Sequence, residues 1–194
     1  ELYIAGTQVT DENCGDLSNI LGVTIDGLEG WLKYDPNKRI LTMKNISIRT
    51  NDNVAIEHRI VGLKIDVVGA NWLIAKTKSA LYCHASTELE GDGQVFAMSE
   101  NNVAVYLREA GLTISDIYVT VNGKWGIAGE SGAQSETLTL KNTSVSVKGS
   151  EGGIGRLGNL TRIRCVMYPQ EAEFDTKAKA VVDKKSKEVI KQVY

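Results

Sequence analysis

The sequence predicts an all-β protein, a single-stranded right-handed parallel β-helix of about five to six turns with capping hairpins. Three observations carry this reading. The segment "LTISDIYVTVNG", Leu112 to Gly123, is rewritten as "LTLKNTSVSVKG", Leu138 to Gly149, with Leu, Thr, Val, Val and Gly at matching places. Strand-like segments start at Leu41, Leu63, Thr87, Leu112, Leu138 and Leu160, at intervals of 22, 24, 25, 26 and 22 residues. Each alternates apolar and polar residues, the period-two pattern of a strand with one buried face. A repeat this short cannot bury its own apolar face, but stacked copies share one continuous core.

The elements follow in chain order. "LYIAGTQVT" reads as a strand and "DENCGDLSNI" as a turn or short helix. "EGWLKYDPNKRILTMKN" reads as a hairpin turning at Asp35-Pro36-Asn37-Lys38, where Asp and Pro favour a tight turn. Residues 1–40 form the N-terminal cap of a single domain. Residues 41–168 are the coil. Each repeat adds a second short strand, marked by a small residue before an aliphatic one: Ala55-Ile56, Ala80-Leu81, Ala104-Val105, Gly126-Ile127 and Gly153-Ile154. No repeat contains an amphipathic helical stretch of 10–12 residues, which argues against βαβ units and helical solenoids. The leucine-rich pattern LxxLxLxxN is absent, and a β-sandwich, the main rival, does not require the same line to recur in register. Residues 169–194 are the C-terminal cap, with a hairpin turning near Lys184–Lys187. Six lysines, at 177, 179, 184, 185, 187 and 191, give that cap a solvated surface that resists aggregation.

Composition narrows the function classes. The chain has 194 residues, 42% hydrophobic and 24% charged, with 19 Gly and only 2 Pro. A net charge of −2 gives no field to gather nucleic acid or anionic lipid, and no run approaches the roughly 20 apolar residues of a membrane helix. The chain opens on Glu1 and reads as a mature or excised domain, with any export signal outside it. Cys14, Cys83 and Cys165 lie far apart without CxxC pairing, and read as small apolar residues.

"LYIAGTQVT", "WLKYDPNKRILTMKN", "GIAGE", "LTLKNTSVSVKGSEGGIG" and "AVVDKKSKEVI" together resemble a group of bacterial secreted proteins with a pectin-lyase-like right-handed β-helix. These are surface and outer-membrane-associated proteins of gut commensals, many labelled as carbohydrate-binding. The resemblance covers nearly the whole chain, and its motifs mark turns and strands. It implies secretion or display at the cell surface and glycan as the ligand class. It carries no catalytic signature.

Motifs that could hold chemistry resolve into structure. "GIGRLG", Gly153 to Gly158, fits GxGxxG, but a β-branched segment ending in Pro follows it, not a helix that would receive a pyrophosphate. "GESGA", Gly129 to Ala133, lacks the final glycine and the strand–elbow–helix setting of a serine nucleophile. No metal-ligand spacing is present, and neither a metal nor another cofactor is expected. Asp92 and Asp116 are the carboxylates nearest a glycosidase arrangement. The matching places elsewhere hold Asn45 and Asn142, so Asn45, Asp116 and Asn142 read as a corner ladder bonding the backbone. Of the three sequons, at Asn45, Asn142 and Asn159, the first two lie on that ladder and share its structural origin.

The candidate ligand surface comes from the second strand of each repeat. With Ile56, Leu81, Val105, Ile127 and Ile154 facing inward, Glu57, Tyr82 and Tyr106 face outward, followed by His84 and Arg108. A sugar ring lays its C–H face on an aromatic and bonds its hydroxyls to neighbouring polar groups. The expectation is a glycan- or polysaccharide-binding scaffold without catalysis. A polysaccharide-degrading enzyme and a purely structural spacer are the rivals.

Overall fold

The computed structural model describes residues 1–27 and 29–194 and shows a right-handed β-solenoid, with no helix among the described residues. Before the coil come β1 (Leu2–Ile4), β2 (Thr7–Gln8), β3 (Val23–Ile25) and β4 (Trp31–Asp35). The first three coils each have three strands. These are β5 (Ile40–Lys44), β6 (Ile46–Thr50) and β7 (Ile56–His58); β8 (Leu63–Val68), β9 (Ala70–Ala75) and β10 (Leu81–Cys83); then β11 (Thr87–Gly91), β12 (Gln94–Ser99) and β13 (Val105–Leu107). The next two merge their second and third strands: β14 (Gly111–Ser115) with β15 (Tyr118–Gly129), and β16 (Thr137–Lys141) with β17 (Ser144–Gly155). β18 (Asn159–Ile163) starts a sixth coil, and β19 (Ala172–Asp175), β20 (Ala180–Asp183) and β21 (Gln192–Val193) follow.

The coils stack into three flat faces. Face 1 runs β4-β5-β8-β11-β14-β16-β18, all parallel except β4. Face 2 is built on β6, β9, β12 and the first halves of β15 and β17; face 3 on β7, β10, β13 and their second halves. Inward residues form rows that cross every coil. Leu41, Ile65, Leu89, Ile114 and Leu140 line face 1, Ile48, Leu73, Ala97, Val121 and Val147 line face 2, and Ile56, Leu81, Val105, Ile127 and Ile154 line face 3. All of these are buried. The echo of small-plus-aliphatic pairs therefore marks one true row. The first strand starts are offset, however: Leu41 pairs with Ile65, two places beyond Leu63. A slip of two residues preserves the inward face, so alternation alone could not reveal it.

Antiparallel strands close the ends. β1 covers β7, β3 covers β6 and β4 covers β5, so each face has its own N-terminal lid. "LYIAGTQVT" is thus not one strand but a hairpin turned at Ala5-Gly6, both with positive φ. "DENCGDLSNI" forms turns. At the other end β20 and β21 pair with β17. The lysine-rich segment makes two hairpin turns. One lies between β19 and β20. The other follows Asp183 near Lys184–Lys187, as expected from sequence, and is closed by a Val182–Val189 bridge. Asp35, Asp175 and Asp183 each accept two backbone N–H bonds at 2.8–3.1 Å from residues two and three ahead. One turn chemistry thus serves three hairpins.

The corner after face 1 takes a left-handed residue in every coil but the third, where Gly91 has a φ of 143°. Asn45, Gly69, Asp116, Asn142 and Arg164 stand there with φ of 49°, 63°, 61°, 47° and 54°. Asn and Asp tolerate this region because their short side chains bond locally. Asn45 Oδ1 accepts the Ala70 N–H at 3.1 Å, as the ladder reading requires. Asn142 differs: its Nδ2 donates to Asp116 Oδ1 at 2.6 Å on the surface. The backbone-satisfying role expected of Asn142 belongs instead to Asn71, fully buried inside β9. Its Oδ1 accepts the Ile46 N–H at 3.2 Å, and its Nδ2 donates to Val68 O at 3.0 Å.

Candidate functional site

The candidate site lies where faces 2 and 3 meet. In coils 1–3 the chain turns this corner through loops 51–55, 76–80 and 100–104. In coils 4 and 5 it bends directly at Gly123 and Gly149, where a Cβ on Gly149 would sit 1.9 Å from the Gly152 carbonyl oxygen. The loops therefore stand as a wall beside face 3 for three coils and then stop. Bonds between coils hold the wall. Thr77 Oγ1 donates to Asn51 O at 2.8 Å, and Asn102 Nδ2 to Thr77 O at 3.2 Å.

Between wall and face lies a groove of ≈ 340 Å³. Its floor includes Glu57, Tyr82 and Tyr106, and its wall Asp52, Asn53, Lys78, Ser79 and Asn102. A second recess of ≈ 220 Å³ shares Asn53 and Glu57 and adds Tyr3 and Arg59. Tyr3 sits in register with Glu57 through the antiparallel lid strand. The floor thus runs Tyr3, Glu57, Tyr82, Tyr106 along the coil axis, one strand spacing per residue.

The two tyrosine rings stack with centroids 4.8 Å apart and planes 27° apart. They are half-buried, not largely exposed as a simple outward position would suggest, because the corner loops shelter them. His84 folds onto Tyr82 with ring centroids 4.0 Å apart, and its Nε2 lies 3.0 Å from Glu57 Oε1. Arg59 reaches the same oxygen at 3.2 Å. Arg108 is exposed, pairs with Glu130 at 3.2 Å, and stands outside the groove lining. Of the five residues read from sequence, then, the fold sets Glu57, Tyr82 and Tyr106 in one column, joins His84 to Glu57, and leaves Arg108 at the margin beside Tyr82. The wall residues escaped the sequence reading although Asn53-Val54-Ala55 recurs as Asn102-Val103-Ala104, because the loop between them, Lys76–Ala80, breaks that echo, and Tyr3 escaped because an antiparallel lid lies outside the coil's period.

Burial raises the phenol pKa of Tyr82, with Arg108 opposing, and burial likewise raises that of Tyr106. Both phenols are O–H donors at neutral pH. Burial, followed by the Arg59 charge, lowers the pKa of His84 against the pull of Glu57. The neutral ring then donates its Nε2 proton to Glu57. The groove presents aromatic surface, phenolic hydroxyls, side-chain amides, a serine hydroxyl and charges of both signs.

Chemistry elsewhere reads as structure. Glu136 is buried beneath loop 130–135. Desolvation raises its pKa, but N–H bonds from Ser131, Ala133, Glu109 and Glu130 at 2.9–3.3 Å outweigh it, and the carboxyl is held below its usual value. Ser131 of "GESGA" is therefore part of a loop clasp. Asp92 and Asp116 line surface recesses beside Tyr118 on the opposite corner. All three cysteines are free thiols, and burial pushes Cys83 up to about 12. Among the described residues no group of three or more His, Cys, Asp and Glu is placed to hold a metal ion, and no helix is long and apolar enough to cross a membrane.

Comparison with protein-family models, curated proteins and solved structures finds no match to this chain.

Proposed function

We propose that this domain is a glycan-recognition scaffold, displayed or secreted by a bacterium, that holds its ligand without turning it over. The observation that carries this reading is the Tyr82–Tyr106 stack forming the floor of a groove whose wall is built from amide, hydroxyl and charged side chains. Aromatic floors accept the apolar C–H faces of sugars, and polar walls bond their hydroxyls. The groove's volume suits a small ligand or a short stretch of a chain. The resemblance to β-helical surface proteins of gut commensals supports the placement at a cell surface.

The rival reading, a polysaccharide-degrading enzyme, would call on Asp52 and Glu57, the two carboxylates of the groove. One oxygen of Glu57 is already engaged by His84 and Arg59, which favours a positioning role over proton transfer. The test is electrophoresis of the purified domain through gels cast with neutral or acidic polysaccharides, alongside release of reducing ends from the same polymers. Retardation without release supports recognition. Release of reducing ends establishes the enzyme, and neither effect leaves the structural spacer.

A further inference from the structure

Face 2 carries a second aromatic surface, separate from the tyrosine groove. Trp72 and Phe96 stack there with ring centroids 4.1 Å apart and planes 12° apart. They are register partners on adjacent coils, β9 and β12, with Ile74 and Met98 beside them. Tyr118, on the next coil, is 68% exposed and Trp72 37%. Hydroxyl and amide side chains lie beside the aromatics, and charge stands at the margins of the face, at Arg49 beside Ile74 on β6 and Lys148 beside Asn122 on β17. Thr120 and Asn122 continue along β15, Ser144 and Ser146 along β17, and Gln94 stands beside Tyr118. Tyr118 also divides two surface recesses at the neighbouring corner, of ≈ 450 and ≈ 400 Å³.

We propose that this face is a second binding site, for a neutral polysaccharide chain lying across the coils on Trp72, Phe96 and Tyr118. Three considerations select that occupant. The patch spans three coils about 4.8 Å apart and three outward positions about 6.6 Å apart, roughly 10 by 13 Å between outermost residues. That is far below the ~800 Å² per partner of a stable protein interface, so a slender ligand fits and a folded partner does not. The hydroxyls and amides beside the aromatics pair with sugar hydroxyls at no charge cost. Large exposed aromatics on a flat sheet are otherwise a liability that sequences avoid. The site stands on its own residues, so it does not depend on the tyrosine groove, although the two would let one domain grip a polymer on two sides.

The experiment uses hydroxyethylcellulose as the neutral probe and polygalacturonate as the acidic one, with electrophoretic retardation and tryptophan fluorescence as readouts. Tyr118→Ala is the fold-safe variant, because its ring is exposed. Trp72→Ala with Tyr118→Ala removes the platform, and Tyr82→Ala with Tyr106→Ala removes the groove. The expected result is that the platform variants weaken binding of the neutral polymer by about tenfold or more, in the manner of aromatic anchor residues. That binding should also persist in high salt. The fluorescence change on binding should vanish in Trp72→Phe. Unchanged affinity in both platform variants, with loss in the groove variant, would overturn this proposal and leave the groove reading intact. Loss in the platform variants with no effect of the groove variant would support it and remove the groove reading. Absence of retardation by either polymer overturns both. A Trp72-dependent dimer in sedimentation would also overturn it, making the patch a contact between copies.

Discussion

His58 and Thr87 meet inside the coil: the imidazole Nε2 lies 2.8 Å from the threonine Oγ1, and both residues are buried. The proton positions follow from the partners. His58 Nδ1 accepts the Ile60 N–H at 3.2 Å, so the ring proton sits on Nε2 and is donated to Thr87. The Thr87 hydroxyl in turn donates a hydrogen bond to Ala85 O at 2.9 Å. The network is complete only with a neutral ring, and burial, aided by the nearby His84, lowers the His58 pKa to about 4.

The unfolded chain therefore takes up a proton on His58 below about pH 6.5, and the folded chain only near pH 4. Stability from this group is fully present above pH 6.5 and falls as pH drops through that window, by roughly 3 kcal/mol in all. Urea unfolding at pH 7, 5.5 and 4 should show that slope in the wild type, and His58→Gln should lack most of it. Parallel slopes in the two proteins would mean that other groups govern acid stability.

The two asparagines of the first corner should behave differently on substitution. Asn71→Ala strands the Ile46 N–H inside the corner, at a cost of about 1–3 kcal/mol, while the Val68 carbonyl keeps its bond from the Asn45 N–H. Asn142→Ala loses only a surface bond and incurs left-handed backbone strain of about 1–2 kcal/mol. Asn142→Gly should recover most of that loss, because glycine carries no Cβ penalty, whereas Asn71→Gly should recover nothing. Chemical denaturation of the four variants decides the matter.

Ile127 sits in a buried row between Val105 and Ile154. Neighbouring coils fix the strand spacing, so a hole there cannot close. Ile127→Ala should cost about 2–5 kcal/mol, and a loss below about 1 kcal/mol in the same assay would contradict tight packing along the row.

Binding at the groove should depend on its floor. Tyr82→Ala with Tyr106→Ala should remove most affinity for the polymer that the domain retards on. Its melting temperature should drop by a few degrees, since the rings are half-buried and stack on each other. Arg108→Ala should weaken acidic-polymer binding more than neutral-polymer binding, because the guanidinium stands at the edge of the groove beside Tyr82 and pairs with carboxylates. An equal loss for both polymers would place Arg108 inside the contact.

The sequence by itself determined the coil and its inward rows. Alternation in Leu112-Thr-Ile114 and Leu138-Thr-Leu140 reports which side of a strand is buried, and recurrence at a near-constant period forces copies to stack. It also placed Glu57, Tyr82 and Tyr106 on one outward column, because register follows from the row of Ile56, Leu81 and Val105. Tertiary structure decided the rest. The two-residue offset of Leu41 preserves every facing and leaves no trace in the pattern. The groove wall arises from corner loops that only stacking brings side by side, and its length from the glycine bends that replace those loops in coils 4 and 5. The Trp72–Phe96 stack was written in the sequence as two aromatics, but only the β9–β12 register brings them face to face. Tyr3 joins the floor only because an antiparallel lid, outside the repeat, pairs it with Glu57. Local periodicity reports burial within a strand, whereas a surface groove depends on which loops and lids the stacked coils bring side by side.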